Sequence, residues 1–433
     1  MNSIWTNQIE LPEFRTMEGS RKTDVLIIGG GMAGILCAYF LHKAGVDYML
    51  VEKERIGSGV TQNTTAKITA QHRLIYSRLL KKSGEEKARL YFDANQDAVN
   101  TYFELCKSIE CDLEKRTAYV YSVDNRQKLE EEADALEKIG VKISFSEKTE
   151  LPFQIAGAIG LENQAQFHPL KFIAEISKEL NIYEHTFVKE FAEHKAVTEK
   201  GDITFKKAIF ATHFPIDNKH GLYFLKMYQD RSYVIALEHV QKIKGMYIDE
   251  EATGKSFRSY QDFLLLGGGS HRTGKDGGKW EELRQFARNY YPDAEECFAW
   301  ATQDCMTLDE VPYIGKYAKG LPDCYVATGF NKWGMTSSMI AAKMLTDLVM
   351  EKENRYTEVF SPSRSIWTPQ LAVNSFEAAK GLVTIAPKRC PHMGCALKWN
   401  PAERTWDCSC HGSRFDERGK VIDNPANGNL HDI

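Results

Sequence analysis

Asp24-Val25-Leu26-Ile27-Ile28-Gly29-Gly30-Gly31-Met32-Ala33-Gly34 decides how this chain folds. Val25, Leu26, Ile27 and Ile28 form a short, unbroken apolar run, the pattern of a parallel strand buried on both faces. Gly29, Gly31 and Gly34 follow as G-x-G-x-x-G. A helix then runs through Ala44 and stops at Gly45, where a helix C-terminus favours glycine. A second strand over residues 48–51 ends at Glu52. Strand–turn–helix–strand opens a doubly wound α/β fold. In such a turn the first glycine permits the bend, the second admits a pyrophosphate and the third lets helix and strand approach. Phosphate oxygens meet the unpaired N–H groups of Met32, Ala33 and their neighbours at the positive end of the helix. Glu52 stands about 20 residues on, placed to accept hydrogen bonds from ribose hydroxyls.

Outward from that unit, the 433 residues suffice for two or three domains. Fifty-five Lys+Arg against 59 Asp+Glu give a formal charge of −4, so no basic excess exists to neutralise a nucleic-acid backbone. The apolar run around residues 30–41 is too short to span a membrane. The opening MNSIWTNQIELPEF reads as a polar lead-in without a signal peptide, and the cytoplasm is the expected compartment. Helices are predicted near 84–107, 126–139, 170–180, 280–290 and 335–350. Strands are predicted over 141–160, Asp202–Phe205, Ala208–Ala211 and 325–327, with an aromatic-rich antiparallel sheet over 221–270. A polar shift at Ser361-Pro362-Ser363 marks a linker.

A second glycine pair follows Glu52 in Lys53-Glu54-Arg55-Ile56-Gly57-Ser58-Gly59-Val60-Thr61. Far downstream, Gly329-Phe330-Asn331-Lys332-Trp333-Gly334-Met335-Thr336 leads into a helix. With the dinucleotide turn, these stretches resemble the D-amino-acid-oxidase-like FAD-dependent oxidoreductases over most of residues 22–355. The resemblance implies FAD, contacted by Gly29, Gly31, Met32, Ala33, Gly34, Glu52, Lys53, Gly57, Ser58, Gly59, Thr61, Thr65, Ala66, Gly329, Trp333, Gly334, Met335 and Thr336. It also implies a Rossmann-like FAD domain (about 22–83, 155–215 and 300–355) with an inserted antiparallel α+β substrate domain (about 84–154 and 216–299). Related oxidases place a basic group over the flavin, where Lys67 is the catalytic candidate. His168 and His213 read as structural.

Six of the ten cysteines are scattered singly, and four crowd the last 44 residues: Cys390, Cys395, Cys408 and Cys410, with His392 and His411. C-x-H followed by C-x-x-H is similar to the ligand pattern of a Rieske [2Fe–2S] centre, in which two thiolates hold one iron and two imidazoles the other. The resemblance implies Cys390, His392, Cys408 and His411 as ligands and Cys395 with Cys410 as a disulfide candidate. A structural zinc site built from the same residues is the competing reading. Phe415 stands where high-potential Rieske proteins carry a tyrosine, which predicts a cluster below the respiratory type. Residues 361–388 are expected to form a linker and 389–433 a minimal all-β Rieske domain leaning on the flavin domain. Together the resemblances imply oxidation of an amine or amino acid at a C–N bond by hydride transfer to FAD. Electrons would pass singly through the cluster to a protein or small acceptor, as in a dehydrogenase rather than an oxidase. Reverse electron flow and a non-catalytic redox module remain alternatives, and the oligomeric state is open.

Overall fold

The computed structural model describes residues 3–7, 9–192, 194–217, 220–251, 254–365 and 367–430. The run from Val25 to Ile28 is the buried half of the strand Arg21–Ile28. That strand is inner in a sheet ordered Tyr313–Ala318, Leu321–Thr328, Gly201–Phe210, Arg21–Ile28, Tyr48–Val51, Ile182–Tyr183. From Leu321–Thr328 onward every neighbouring pair is parallel, with Leu26 level with Ala208 on one side and Met49 on the other. Asp202–Phe205 and Ala208–Ala211, expected as two strands, are one: Gly201–Phe210. The helix Met32–Lys43 is apolar nearly all round because it is covered twice, by this sheet and by the helix Gly334–Val349.

A second sheet of nine strands runs Glu295–Thr307, Met227–Glu238, Phe263–Arg272, Ser256–Tyr260, Met246–Asp249, Glu114–Ser122, Gly157–Gln166, Lys67–Ile68, with Ser144–Ser146 paired to Gly157–Gln166. Lys67–Ile68, Gly157–Gln166 and Glu295–Thr307 therefore belong to the second sheet, although the sequence groups the first two, and the third from residue 300 onward, with the nucleotide fold. The core is continuous between the two sheets.

The opening stretch is not a polar lead-in. Ile4 and Trp5 are fully buried. Trp5 donates its indole N–H to the Thr64 carbonyl at 2.8 Å and stands edge-on to His168 and Tyr260. Two apolar residues among polar neighbours give too weak a period to mark a core contact.

The tail is a four-stranded antiparallel meander, Leu397–Asn400, Thr405–Cys408, Arg414–Asp416 and Val421–Asp423. Its own core is Cys390, Cys395, Leu397, Cys408, Cys410, Phe415 and Ala426. The linker carries a helix, Pro369–Val383. Arg364 anchors the linker's start through an ion pair with Asp309 at 2.8 Å.

Candidate flavin cavity and iron–sulfur loops

A cavity of about 1030 Å³ opens at the C-terminal ends of the parallel strands and extends along the second sheet. Its wall brings together Gly29, Gly31, Met32, Ala33, Glu52, Lys53, Ser58, Gly59, Thr61, Thr65, Lys67, Gly329, Trp333, Gly334 and Met335. Gly31 precedes the first helix, and Met32 donates its N–H to Thr61 Oγ1 at 3.1 Å. Glu52 accepts from the Gly30 and Glu54 N–H groups at 2.6 and 2.9 Å, and burial raises its pKa.

Four expected contacts are turned away from the wall, each for a packing reason. A Cβ on Gly34 would collide with the Gly29 carbonyl, so that glycine serves helix–strand approach. Gly57 faces Leu170 and Ile173, where a Cβ would lie 3.0 and 3.5 Å away. Ala66 is fully buried with φ 52°, and its carbonyl accepts from Arg258 Nη1 at 2.9 Å. The Thr336 hydroxyl is taken up by the Thr69 carbonyl and His72.

The wall fits a flavin dinucleotide by its shape. A Cβ on Gly59 or Gly334 would meet nothing within 4 Å, so the second glycine turn and the head of the helix Gly334–Val349 stand open. Helix N-termini favour negative charge through their unpaired N–H groups. Trp333, just before that helix, stacks on His72 with centroids 4.4 Å apart. Burial lowers the His72 pKa to about 3, and its ring nitrogens meet Tyr91 Oη and the Thr69 carbonyl, each at 2.8 Å. His72 is thus a neutral prop for Trp333.

Lys67 is half-buried against the cavity. Burial first, then the neighbouring Arg258 and Arg73 charges, push its pKa down to about 7. Burial lifts Asp304 to about 6 against the pull of Lys332, and Lys332 itself pairs with Asp230 at 2.7 Å. Arg73, Tyr228, Asp230, Asp304 and Lys332 all line the cavity, and sequence reasoning missed them. A signal was present: Tyr228, Asp230 and Ser232 alternate along one strand, and Thr302, Asp304 and Met306 along its neighbour, as one face of a sheet must.

The intervening residues point to the iron–sulfur module. Gln229 Nε2 donates to the His411 carbonyl at 2.9 Å, and Gln303 Nε2 to the Gly412 carbonyl at 2.8 Å. Cavity and module therefore occupy opposite faces of the same two strands. The module also reaches the cavity rim, where Asn424, Ala426 and Asn427 contribute lining. Asn424 Nδ2 donates to the Thr212 and Phe214 carbonyls at 3.0 and 2.8 Å, gripping the turn that holds His213. Burial holds His213 near pKa 4, and Gln303 supplies its backbone hydrogen-bond partner.

In the module, the His392 and His411 rings lie 4.9 Å apart. His392 Nδ1 and Nε2 and His411 Nδ1 are buried without a hydrogen-bond partner. Orphaned imidazole nitrogens beside thiols are what a metal would satisfy. The Cys408 thiol touches those of Cys390, Cys395 and Cys410, and these contacts hold its pKa well below the usual range. The sulfurs of Cys395, Cys408 and Cys410 all lie within 4.8 Å of one another. That sulfur trio alone would suit a thiolate site, but it leaves both imidazoles unexplained, whereas Cys390, His392, Cys408 and His411 employ an orphaned nitrogen of each ring. Cys395 and Cys410, the expected disulfide, stand side by side as free thiols. They are pressed under Gly381 of the linker helix, where a Cβ would collide with Cys410 Sγ.

Comparison with known proteins agrees with both halves. The family described as FAD dependent oxidoreductase (DAO) matches residues 24–348, and the Rieske [2Fe-2S] domain matches residues 349–433. YhfW of Bacillus subtilis (strain 168), named as a Rieske 2Fe-2S iron-sulfur protein, is 35% identical over 487 aligned positions, covering 98% of this chain and 96% of the relative. Among solved structures, L-proline dehydrogenase from P. horikoshii superposes with TM-score 0.67 at 18% identity, covering 80% of this chain and 98% of its own. Glycine oxidase from Geobacillus kaustophilus does so with TM-score 0.66 at 19% identity, covering 80% and 100%. Among the described residues no helix is long and apolar enough to cross a membrane. With a glycine-lined cavity on one face of a sheet and a cysteine–histidine centre on the other, the chain belongs to the FAD-dependent oxidoreductase family and carries a Rieske [2Fe–2S] domain after the flavin-binding part.

Proposed function

We propose that this protein is a dehydrogenase that oxidises the C–N bond of a small amine or amino acid and exports the electrons singly to a separate acceptor. The observation that carries the reading is the shared wall: Tyr228, Asp230 and Asp304 face the cavity while Gln229 and Gln303, on the same strands, hold the loop of Cys408 and His411. When bound, FAD supplies a two-electron hydride acceptor and the cluster a one-electron relay. The chain's own residues do the rest. Oxidation of an amine to an imine releases a hydride from carbon and a proton from nitrogen. Lys67 Nζ, with its pKa near 7, is suited to accept that proton at neutral pH. Asp304, near pKa 6, and Asp230 offer carboxylates to a substrate ammonium, with Lys332 balancing their charge. By their names, the two solved neighbours above act on amino acids, which supports this substrate class.

The test is anaerobic mixing of the holoprotein with a panel of amino acids and amines, followed at flavin and cluster wavelengths together. Flavin bleaching by a panel member, followed by bleaching of the cluster, is the expected result. A flavin that stays oxidised with every compound overturns the reading. So does a protein that reduces oxygen as fast as it reduces a one-electron acceptor.

A further inference from the structure

The two ligand loops are treated differently by the rest of the molecule. The loop of Cys390 and His392 is hydrogen-bonded within the module: Cys390 N–H donates to the Cys395 carbonyl at 2.9 Å, and Arg389 Nη1 to the Gly394 carbonyl at 2.7 Å. The loop of Cys408 and His411 is held from outside, carbonyl by carbonyl. Arg272 Nε donates to Ser409 O and Arg272 Nη2 to Cys410 O, both at 3.0 Å. Gln229 and Gln303 take the next two carbonyls, His411 O and Gly412 O. The glutamines are 1% and 2% exposed and linked, Gln303 Nε2 donating to Gln229 Oε1 at 2.7 Å. Thr273 Oγ1 closes the row by donating to Gln303 Oε1 at 2.9 Å. Sterics fix the same seam. A Cβ on Gly412 would stand 2.5 Å from Gln229 Cβ, and one on Gly274 would stand 2.6 Å from Ser409 N.

One peptide group in this loop does two things. Its carbonyl, Cys410 O, accepts from the Arg272 guanidinium at 3.0 Å, while its amide, His411 N–H, is the backbone donor on the side of the Cys408 sulfur. A peptide polarised by a cation at oxygen is a stronger donor at nitrogen, because hydrogen bonds in series reinforce one another. Such a donor stabilises negative charge on the sulfur it meets. A [2Fe–2S] centre gains one negative charge on reduction, and hydrogen bonds to its sulfurs set its potential.

We propose that Arg272 is a positioning and tuning residue for the iron–sulfur centre: with Gln229 and Gln303 it clamps the Cys408–Gly412 loop to the oxidoreductase body, and its charge, relayed through the Cys410–His411 peptide, raises the centre's potential. Arg389 of the tail grips the other ligand loop at the Gly394 carbonyl, whereas the cation on the Cys408–Gly412 loop comes from the body, so the module's potential depends on the body on which it sits. The clamp opposes the effect of Phe415, which lacks the hydroxyl that a tyrosine would offer. Arg272 lies over the Tyr228 ring at 5.0 Å, so the same cation also braces the cavity wall. The inference rests on the assignment of Cys408 and His411 as ligands.

The test is an EPR-monitored redox titration of the intact holoprotein beside Arg272→Gln, Arg272→Lys and Asn374→Asp. Asn374 Oδ1 accepts from Arg272 Nη1 at 2.8 Å, so the aspartate partly neutralises the guanidinium without removing it. In Arg272→Gln the oxidised-to-reduced ratio at fixed poise should rise by roughly tenfold, which for one electron is a fall of about 59 mV. Asn374→Asp should move the same way by less, and Arg272→Lys should stay near the parent. A parent-like midpoint in Arg272→Gln overturns the proposal, as does a fall in Arg272→Lys as large as in Arg272→Gln. If Arg272→Gln purifies without a cluster, Asn374→Asp decides: a lowered midpoint supports the relay and an unchanged one ends it. Cys408→Ser retaining a normal Rieske signal would instead remove the ligand assignment, a failure distinct from any of these.

Discussion

The glycine turn at one end of the chain and the cysteine–histidine loops at the other both hold cofactors, but they are built on opposite principles. Gly29 and Gly34 are required by the polypeptide itself. A Cβ on Gly29 would stand 2.5 Å from the Ala211 carbonyl oxygen, and one on Gly34 would strike the Gly29 carbonyl, whether or not flavin is present. Around them lies a core of strands and helices with Ile27, Ile35, Leu36 and Leu50 fully buried. The cluster loops rest on seven buried residues, four of them the cysteines. Such a core is too small to fold without help, and a metal contributes binding energy directly to folding. The flavin site is preformed, whereas the cluster site is completed by its cofactor and by the neighbouring sheet.

The sharpest way to break that contrast is to remove the cluster. Cys408→Ser should lose iron entirely and leave residues 389–430 open to limited proteolysis, while the flavin stays bound. Retained protease resistance in iron-free protein would show that the tail folds alone. Gly34→Ala should do the converse. The protein should purify without flavin, because the methyl must displace the backbone of the glycine turn, yet keep its iron. Flavin and iron content measured on the same preparation compare the two halves directly.

Arg414 supplies the next largest effect. It is 3% exposed and meets Glu403, Asp407 and Asp423 at 2.8, 3.1 and 2.9 Å. Glu403 also pairs with Arg231 of the body, Nε to Oε1 at 3.0 Å, so this network is both the module's polar core and its bolt. Arg414→Leu leaves three carboxylates without their common cation and should cost about 3–5 kcal/mol. Urea unfolding followed by cluster absorbance checks it. The same network predicts acid sensitivity. Burial pushes the Glu403 pKa upward, but Arg231 and Arg414 overcome this and hold it at about 2. Its unfolded value is about 4.3, so the stabilisation, roughly 3 kcal/mol, is complete above that pH and is lost as pH falls toward 2. Cluster bleaching on acidification should precede flavin release.

How much of this the sequence showed follows the same divide. Val25–Ile28 and the glycine spacing made the nucleotide fold legible because strand burial and the helix period are local. The cysteine–histidine spacing made the module legible because its candidate ligands come in two short loops. Trp5, Arg258 and the cavity residue Arg73 were not legible, since each acquires its role from partners far along the chain. Arg258, for instance, reaches back to the Ala66 carbonyl and lies over the Trp5 ring at 5.2 Å. The clamp on the cluster loop was equally hidden, because glutamines alternating with cavity residues look like any strand with a polar face. The disulfide expected from Cys395 and Cys410 came from the resemblance alone, and the structure has two thiols there.

The last expected effect concerns Lys67, the one residue proposed for proton transfer. Its ammonium is disfavoured by burial and by the Arg258 and Arg73 charges, so near pH 7 about half of the population is neutral. Below that pH the nitrogen is protonated and cannot accept the substrate's proton; above it, it can. Substrate-dependent flavin reduction should therefore rise with pH through an inflection near 7. Lys67→Met should flatten that inflection and slow reduction by about 10²–10⁴-fold, the usual range for a lost general base. Arg258→Met should shift the inflection upward, because removing a neighbouring positive charge makes the ammonium easier to hold. Stopped-flow reduction across pH 5.5–9 distinguishes the cases. An inflection near 7 that survives unchanged in Lys67→Met would assign the titration to another group and leave Lys67 a cation in the cavity wall. If Arg258→Met moves the inflection while Lys67→Met abolishes it, the lysine that is half-buried beside the flavin cavity is the group that titrates.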